Sequence, residues 1–325
     1  MTELLTTSNV DETWHAALSA LRGGLRTRFV ASRAGATTEV LAASLHISAG
    51  ENTFLANERR AASAQYAAAE LLWYLSGTAN THMIRQYAPQ YANFTESDGT
   101  AHGAYGARWR MSAADNQLER ALKELRTSPE SRRAVVTAWD ESRDLGTNAK
   151  DIPCTLSIQF ILRDMTLHAV ATMRSNDVWL GTPYDMFCFT AIQRLLADSL
   201  GADVGHYYHN VGSLHLYNKN AVAALEAWRQ IDFASPHEWA KTALPLDVAR
   251  KTAVNIERTL RESSSQRAKL TPGEIVSCLG GGTLLADCAL CCATKWVKQP
   301  VAYVESVSHP VMKRSLRCLL SKGQT

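Results

Sequence analysis

The apolar positions of this chain change period twice along its length. Trp14, Leu18 and Leu21 recur at helical spacing behind polar candidate caps at Asn9 and Asp11, and Gly23-Gly24 closes the segment, so an amphipathic helix is predicted there. Residues 60–76 carry a long Ala/Leu/Trp run stopped by Gly77, the pattern of a helix buried on most sides. A shorter helix is predicted over 117–127, with Leu118, Leu122 and Leu125 on one face. Residues 134–139, 155–162 and 166–173 are instead short, β-branched and partly alternating, and read as strands. In the second of these, Leu156, Ile158, Phe160 and Leu162 are expected on one side of a sheet and Thr155, Ser157 and Gln159 on the other, with Arg163-Asp164-Met165 as the following turn. Residues 184–200 return to helix and stop at Gly201; after Tyr217 the texture is helical again, over 220–229 and 246–261, punctuated by Pro236, Pro245 and Pro272. The order predicts an α+β catalytic body over 1–230 and a mainly helical extension over 231–325, without internal repeats.

Composition narrows the class. The chain has 325 residues, 46% hydrophobic and 20% charged, with eight Trp, ten Tyr and seven Phe to bury, which excludes disorder. No run approaches the roughly 18 apolar residues of a membrane span, and Met1-Thr2-Glu3 lacks the basic flank and apolar stretch of a secretory signal. With 34 Lys+Arg against 31 Asp+Glu the net charge is +3, too mild for a nucleic-acid polymer or a membrane surface as partner. Seven irregularly spaced Cys suggest reduced thiols and a cytoplasmic setting rather than a disulfide framework.

Candidate chemistry gathers around Pro153-Cys154 and Arg174-Ser175-Asn176-Asp177. A lone Cys is usually a small hydrophobe; a reactive thiol needs a positive field to lower its pKa and a group to move protons. Arg132, Arg133 and Arg174 are the expected source of that field, and would also grip a dianionic phosphate; the bland alternative is a solvated basic face. Cys288, Cys291 and Cys292 provide only one spaced pair where a zinc site wants four ligands, so no metal is expected and buried helix thiols are. Gly280-Gly281-Gly282 lacks the Lys-Ser/Thr of a phosphate loop and reads as a helix break.

The order of these residues carries a resemblance. Ser131-Arg132-Arg133 followed by Trp139, then Pro153-Cys154, Gln159-Phe160, Arg174-Ser175-Asn176-Asp177-Val178-Trp179-Leu180-Gly181-Thr182-Pro183-Tyr184-Asp185 and His215-Leu216-Tyr217 closely resemble the thymidylate synthase family. Glu70-Leu71-Leu72-Trp73-Tyr74-Leu75 with Gly77 and Asn80, Tyr105-Gly106 and Trp109-Arg110 fit upstream, so the likeness covers roughly residues 25–220. It implies a central mixed β-sheet flanked by helices, with a helical C-terminal extension packed on it, and a homodimer with shared active sites. Cys154 would then be the nucleophile that adds to C6 of a pyrimidine nucleotide, Glu70 would organise water and proton transfer, and Tyr105 would lie close to the proton leaving C5. Arg33, Arg174 and Ser175 would hold the 5′-phosphate, joined by Arg132 and Arg133 from the neighbouring subunit, while His215 and Tyr217 would bind the sugar 3′-hydroxyl. Asp177 and Gly181 would meet the pterin of methylenetetrahydrofolate, the implied co-substrate. Thiolate addition at C6 breaks the ring's delocalisation and turns C5 into an enamine carbon able to attack, which is covalent catalysis.

Departures from the synthases point to one branch. Asp185 stands where they carry Asn; an ionised carboxylate only accepts hydrogen bonds and suits the 4-amino donor of cytosine rather than the O4 of uracil, while its acid form can donate to N3. Tyr91-Ala92-Asn93-Phe94-Thr95 has no Trp where the synthases shield the new methylene, so water is expected to reach it. Thr155, Met173 and Ser213 replace the usual His, Gln and Asp, and the C-terminal segment has no counterpart of the synthases' short apolar end. The chain therefore resembles the deoxycytidylate and cytidylate 5-hydroxymethylases. The expected reaction takes deoxycytidylate, methylenetetrahydrofolate and water to 5-hydroxymethyldeoxycytidylate and tetrahydrofolate. Cytidylate as substrate, C5-methylation of deoxycytidylate and a non-catalytic nucleotide-binding relative stay as alternatives.

Overall fold

The computed structural model describes residues 3–5, 9–22, 27–32, 35–51, 53–112, 115–230, 234–262 and 270–322. Its strands are β1 (Glu3–Leu5), β2 (Arg28–Ser32), β3 (Gly35–Ile47), β4 (Arg110–Ser112), β5 (Asp115–Asn116), β6 (Val135–Thr137), β7 (Thr155–Arg163), β8 (Thr166–Asp177) and β9 (Asp203–Tyr217). Seven build one mixed sheet in the order β1-β3-β9-β8-β7-β6, with β2 paired to β3; β4 and β5 form a separate ribbon. β8 and β9 run parallel, joined through the helix Thr182–Leu200, whereas β3 with β9 and β7 with β8 are antiparallel. The β7–β8 turn falls at Asp164-Met165, both at positive φ, where the sequence places it.

The long strands β3 and β9 escape a reading by hydrophobic pattern. Polar side chains sit on both faces of β9, and His209 is buried inward between Tyr207 and Val211.

Alternation also slips by one residue within four adjoining strands. The buried side chains pass from Val40 to Ala43 in β3, from Thr155 to Ile158 in β7, from Met173 to Asn176 in β8 and from Val211 to Leu214 in β9. This corrects the expected facing of β7: a bulge between Thr155 and Ser157 turns Thr155 into the core and leaves Leu156 half-buried. Gly212 lies at the slip in β9, where a Cβ would come 2.8 Å from the Arg174 carbonyl oxygen.

The helix predicted over 60–76 is shorter, Ala64–Ser76, because Ala61 takes a positive φ and Ser63 caps Tyr66 N–H instead. Gly77 and Gly201, both in the left-handed conformation, end this helix and Thr182–Leu200. The C-terminal helices brace Ala64–Ser76: Gln65 Nε2 donates to Thr294 Oγ1 at 2.7 Å, Arg250 Nη1 to the Leu75 carbonyl at 3.0 Å, and Ser315 Oγ to the Ala62 carbonyl at 2.8 Å. Cys288, Cys291 and Cys292 are buried in the helix Leu284–Ala293, which packs on the same element. No described helix is long and apolar enough to cross a membrane.

Candidate active site

Three elements deliver the reactive groups to one place. The loop before β7 carries Cys154, the helix Ala64–Ser76 carries Glu70, and the first turn of Thr182–Leu200 carries Asp185. Arg174, at the end of β8, ties this loop down: its main-chain N–H donates to the Cys154 carbonyl at 2.8 Å, its Nε to the Pro153 carbonyl at 2.8 Å and its Nη2 to the Ile152 carbonyl at 3.0 Å.

The expected lowering of the Cys154 pKa is not what the geometry produces. Burial pushes the thiol up to about 11; the Arg174 charge works against this, and Asp185 and Asp151 add to the rise. Arg132 and Arg133 do not supply the field within one chain. Both are exposed, and Arg133, whose side chain is 79% accessible, pairs with Glu124 at 2.8 Å.

Both helix-borne carboxyls hold their protons up to near neutrality. Glu70 is raised to about 8 by burial and then by the charge of Asp185; Tyr66, one turn earlier, opposes this by donating to Glu70 Oε1 at 2.7 Å. Asp185 is raised to about 7 by burial, opposed by Asn176, whose Nδ2 donates to Asp185 Oδ2 at 2.7 Å. The Tyr105 phenol, raised by burial, feels the charges of Asp185 and Cys154, so Asp185 is coupled to each of the other three expected catalytic groups.

Gly181 opens the Asp185 helix, and a Cβ there would lie 3.0 Å from Asn176 Nδ2 and 3.2 Å from Asp185 Oδ2. A side chain at 181 would press the Asn176–Asp185 contact apart. Asp177 accepts from the Trp179 and Leu180 N–H groups through Oδ1, at 2.8 and 3.2 Å, while its buried Oδ2 has no hydrogen-bond partner among the described residues. Such an acceptor fits the N–H donors of a pterin. Arg60 walls this side: its Nε donates to the Trp179 carbonyl at 2.6 Å and its guanidinium lies 5.2 Å from the Trp179 ring.

The expected phosphate and sugar residues are only partly gathered. Arg33 lies outside the described residues. Ser175 Oγ lies 3.4 Å from His215 Nδ1, and the His215 and Tyr217 rings meet edge-on at 5.2 Å. Tyr91 packs edge-on against Trp73 at 5.3 Å, and its phenol feels the charges of Asp151 and Glu70, so the segment without Trp still brings an aromatic ring to the site.

Sequence reasoning gave no role to Asn176, Tyr207, His209, Asp151 or Tyr66. His209 Nε2 lies 3.0 Å from Asn176 Oδ1 and its Nδ1 2.6 Å from the Tyr207 hydroxyl, all buried. Asp151 is raised to about 6 by burial, opposed by the charge of His102. Tyr66 was within reach of the pattern, four residues before Glu70 on one helix face; His209 offered no such signal. All seven cysteines are free, and among the described residues no cluster of His, Cys, Asp and Glu is arranged to hold a metal ion.

Residues 25–257 match the family model described as thymidylate synthase. Among curated proteins, a deoxyuridylate hydroxymethyltransferase of Pseudomonas phage M6 is 32% identical over 160 residues, 48% of this chain and 46% of that protein. The chain thus spans about half the length of the curated relative it matches. Among solved structures, thermostable thymidylate synthase A from Bacillus subtilis superposes with a TM-score of 0.59 at 22% identity, covering 71% of this chain and 88% of that one, a likeness of fold.

Proposed function

The chain belongs to the thymidylate synthase family, and we propose that it transfers a one-carbon unit from methylenetetrahydrofolate to C5 of deoxycytidylate and hydrates it, releasing 5-hydroxymethyldeoxycytidylate and tetrahydrofolate. The observation that carries this reading is Asp185: a buried carboxyl, raised to about 7, at the position where the synthases hold an amide. As an anion it receives the cytosine amino N–H, and as an acid it donates to N3 when Cys154 adds at C6. Cys154 forms the S–C6 bond, and the ring electrons move toward N3 and C5. C5 bonds to the methylene carbon that methylenetetrahydrofolate would supply, the C5 proton leaves to a base at the site, and the bond from that carbon to the folate amine breaks to free tetrahydrofolate. Glu70, protonated below about 8, moves protons at the site, and its carboxylate form polarises the water that adds to the new exocyclic carbon before the thiolate is expelled. Asp177 Oδ2 and Gly181 are the proposed contacts for the pterin.

The active unit is proposed to be a homodimer in a reducing, cytoplasmic compartment. Arg132 and Arg133, both exposed, would complete the phosphate site of a second copy. The sheet face bearing half-buried Ile161, Val170 and Tyr208 is the surface on which that copy would sit.

A second reading has its own support. The phage relative is named for deoxyuridylate, and a neutral Asp185 offers one donor and one acceptor, as the amide does. Incubation with C5-tritiated dCMP, CMP and dUMP plus methylenetetrahydrofolate, with product mass, decides. Tritium release from dCMP with a hydroxymethyl product supports the main reading; preference for dUMP transfers it to the second. A methyl product overturns the hydration step, and no release from any nucleotide overturns both.

A further inference from the structure

Asp185 does not stand alone: it ends a chain of hydrogen bonds that crosses two strands. The Tyr207 hydroxyl lies 2.6 Å from His209 Nδ1, His209 Nε2 3.0 Å from Asn176 Oδ1, and Asn176 Nδ2 2.7 Å from Asp185 Oδ2. Thr182 Oγ1 donates to the same Asn176 Oδ1 at 2.6 Å. We propose that Tyr207, His209 and Asn176 are positioning residues that make the two oxygens of Asp185 inequivalent, and thereby set discrimination between 4-amino and 4-oxo pyrimidines. The proposal rests on the nucleotide-transfer reading above.

The direction of the chain follows from its donors. With Asn176 Oδ1 receiving Thr182 Oγ1, the imidazole edge facing it must be N–H, so Nε2 carries the His209 proton. Nδ1 is then an acceptor, and only the phenol proton of Tyr207 can fill it. His209 is fully buried and held neutral, its pKa pushed down to about 3 by burial, so no second proton competes for Nδ1. The Asn176 amide is thereby locked with its NH2 toward Asp185, and Gly181 leaves room for that contact.

The consequence falls on Asp185. Oδ2 accepts from Asn176 Nδ2, while among the described residues no hydrogen bond reaches Oδ1. When Asp185 is protonated, the proton therefore resides on Oδ1. In the cytosine pose Oδ2 meets the amino N–H and Oδ1–H meets N3; a 4-oxo ring presents the opposite order and must break the Asn176 bond to be read. Without the lock, the carboxyl turns over freely and both rings are accommodated.

The test is His209→Phe, with His209→Gln as the conservative partner, since a Gln amide still donates to Asn176 Oδ1. The expected result is a tenfold or larger fall in the ratio of kcat/KM for dCMP over dUMP in His209→Phe, with most of the ratio kept in His209→Gln. A structural role alone would lower both substrates together and leave the ratio unchanged, which overturns the proposal. If His209→Phe does not fold, Tyr207→Phe frees the imidazole tautomer and is expected to reduce the same ratio. A second readout does not need turnover: the 13C titration of the Asp185 carboxyl should move upward by about one unit in His209→Phe as the Asn176 donor is lost. An unchanged midpoint overturns the relay. A midpoint that shifts in His209→Phe, when the wild type converts neither nucleotide, upholds the relay and sinks the transfer reading.

Discussion

Arg174 grips the Pro153 carbonyl at 2.8 Å and so fixes the turn that presents Cys154, yet the thiol beside it stays protonated. Position and activation are separate here: the same guanidinium that orders the loop is outweighed by the burial of the sulfur. With a pKa of about 11, roughly one thiol in ten thousand is ionised at pH 7. Alkylation of Cys154 by iodoacetamide, followed by peptide mass mapping, should accelerate about tenfold per pH unit up to at least pH 10. A plateau near pH 8 would contradict this. Cys278 and Cys318, both exposed, serve as internal controls.

Removing the sulfur should separate chemistry from binding. Cys154→Ala is expected to abolish tritium release while changing dCMP affinity by no more than about threefold, since one half-buried thiol contributes little to holding a nucleotide. Calorimetry of the variant with dCMP, beside the release assay, checks both halves.

The two raised carboxyls make stability depend on pH in a definite sense. Their folded pKa values, about 8 for Glu70 and about 7 for Asp185, lie above the ordinary values of 4.5 and 3.8, so the native state binds more protons. Stability is therefore highest below pH 4 to 5 as far as these groups act, and falls as pH rises toward 7 to 8, by up to about 1.4 kcal/mol per unit and group. Glu70→Gln and Asp185→Asn should raise Tm at pH 8 and lose most of that advantage at pH 5. Equal effects at both pH values in thermal melts would refute the assignment.

Nucleotide affinity should split with pH. A 4-oxo ring needs the acid form of Asp185, so dUMP binding should weaken about tenfold for each unit above pH 7. The 4-amino ring is received by the anion, so dCMP affinity should change much less between pH 7 and 8. Parallel curves for the two nucleotides, measured by titration calorimetry, would remove Asp185 from base recognition.

Much of the scaffold was readable because its signals are local. The helix Gln117–Thr127 shows in Leu118, Leu122 and Leu125, and the β7–β8 hairpin in two apolar runs around Asp164-Met165. The motif around Cys154, Arg174 and Asp185 was legible by resemblance. What stayed hidden depends on distant partners. β9 carries polar residues inward because His209 finds Asn176 and Tyr207 there, and no pattern of apolar positions encodes that satisfaction. The thiol pKa is hidden in the sequence for the same reason: charge can be counted along a chain, but the depth at which a sulfur is buried cannot. The C-terminal helices are legible as helices; their grip on the Glu70 helix through Thr294 and Arg250 appears only in three dimensions.

The slip of one residue shared by β3, β7, β8 and β9 has a consequence for how this protein can change. It acts as a crease running across the sheet, and Arg174, Asn176 and Gly212 lie along it. A single-residue insertion or deletion in any one of those strands would put its reactive side chains on the wrong side of the fold while its neighbours stayed in step. Variation by lengthening is therefore confined to the hairpin ends and loops away from the crease, and the strand lengths there must be inherited as a set.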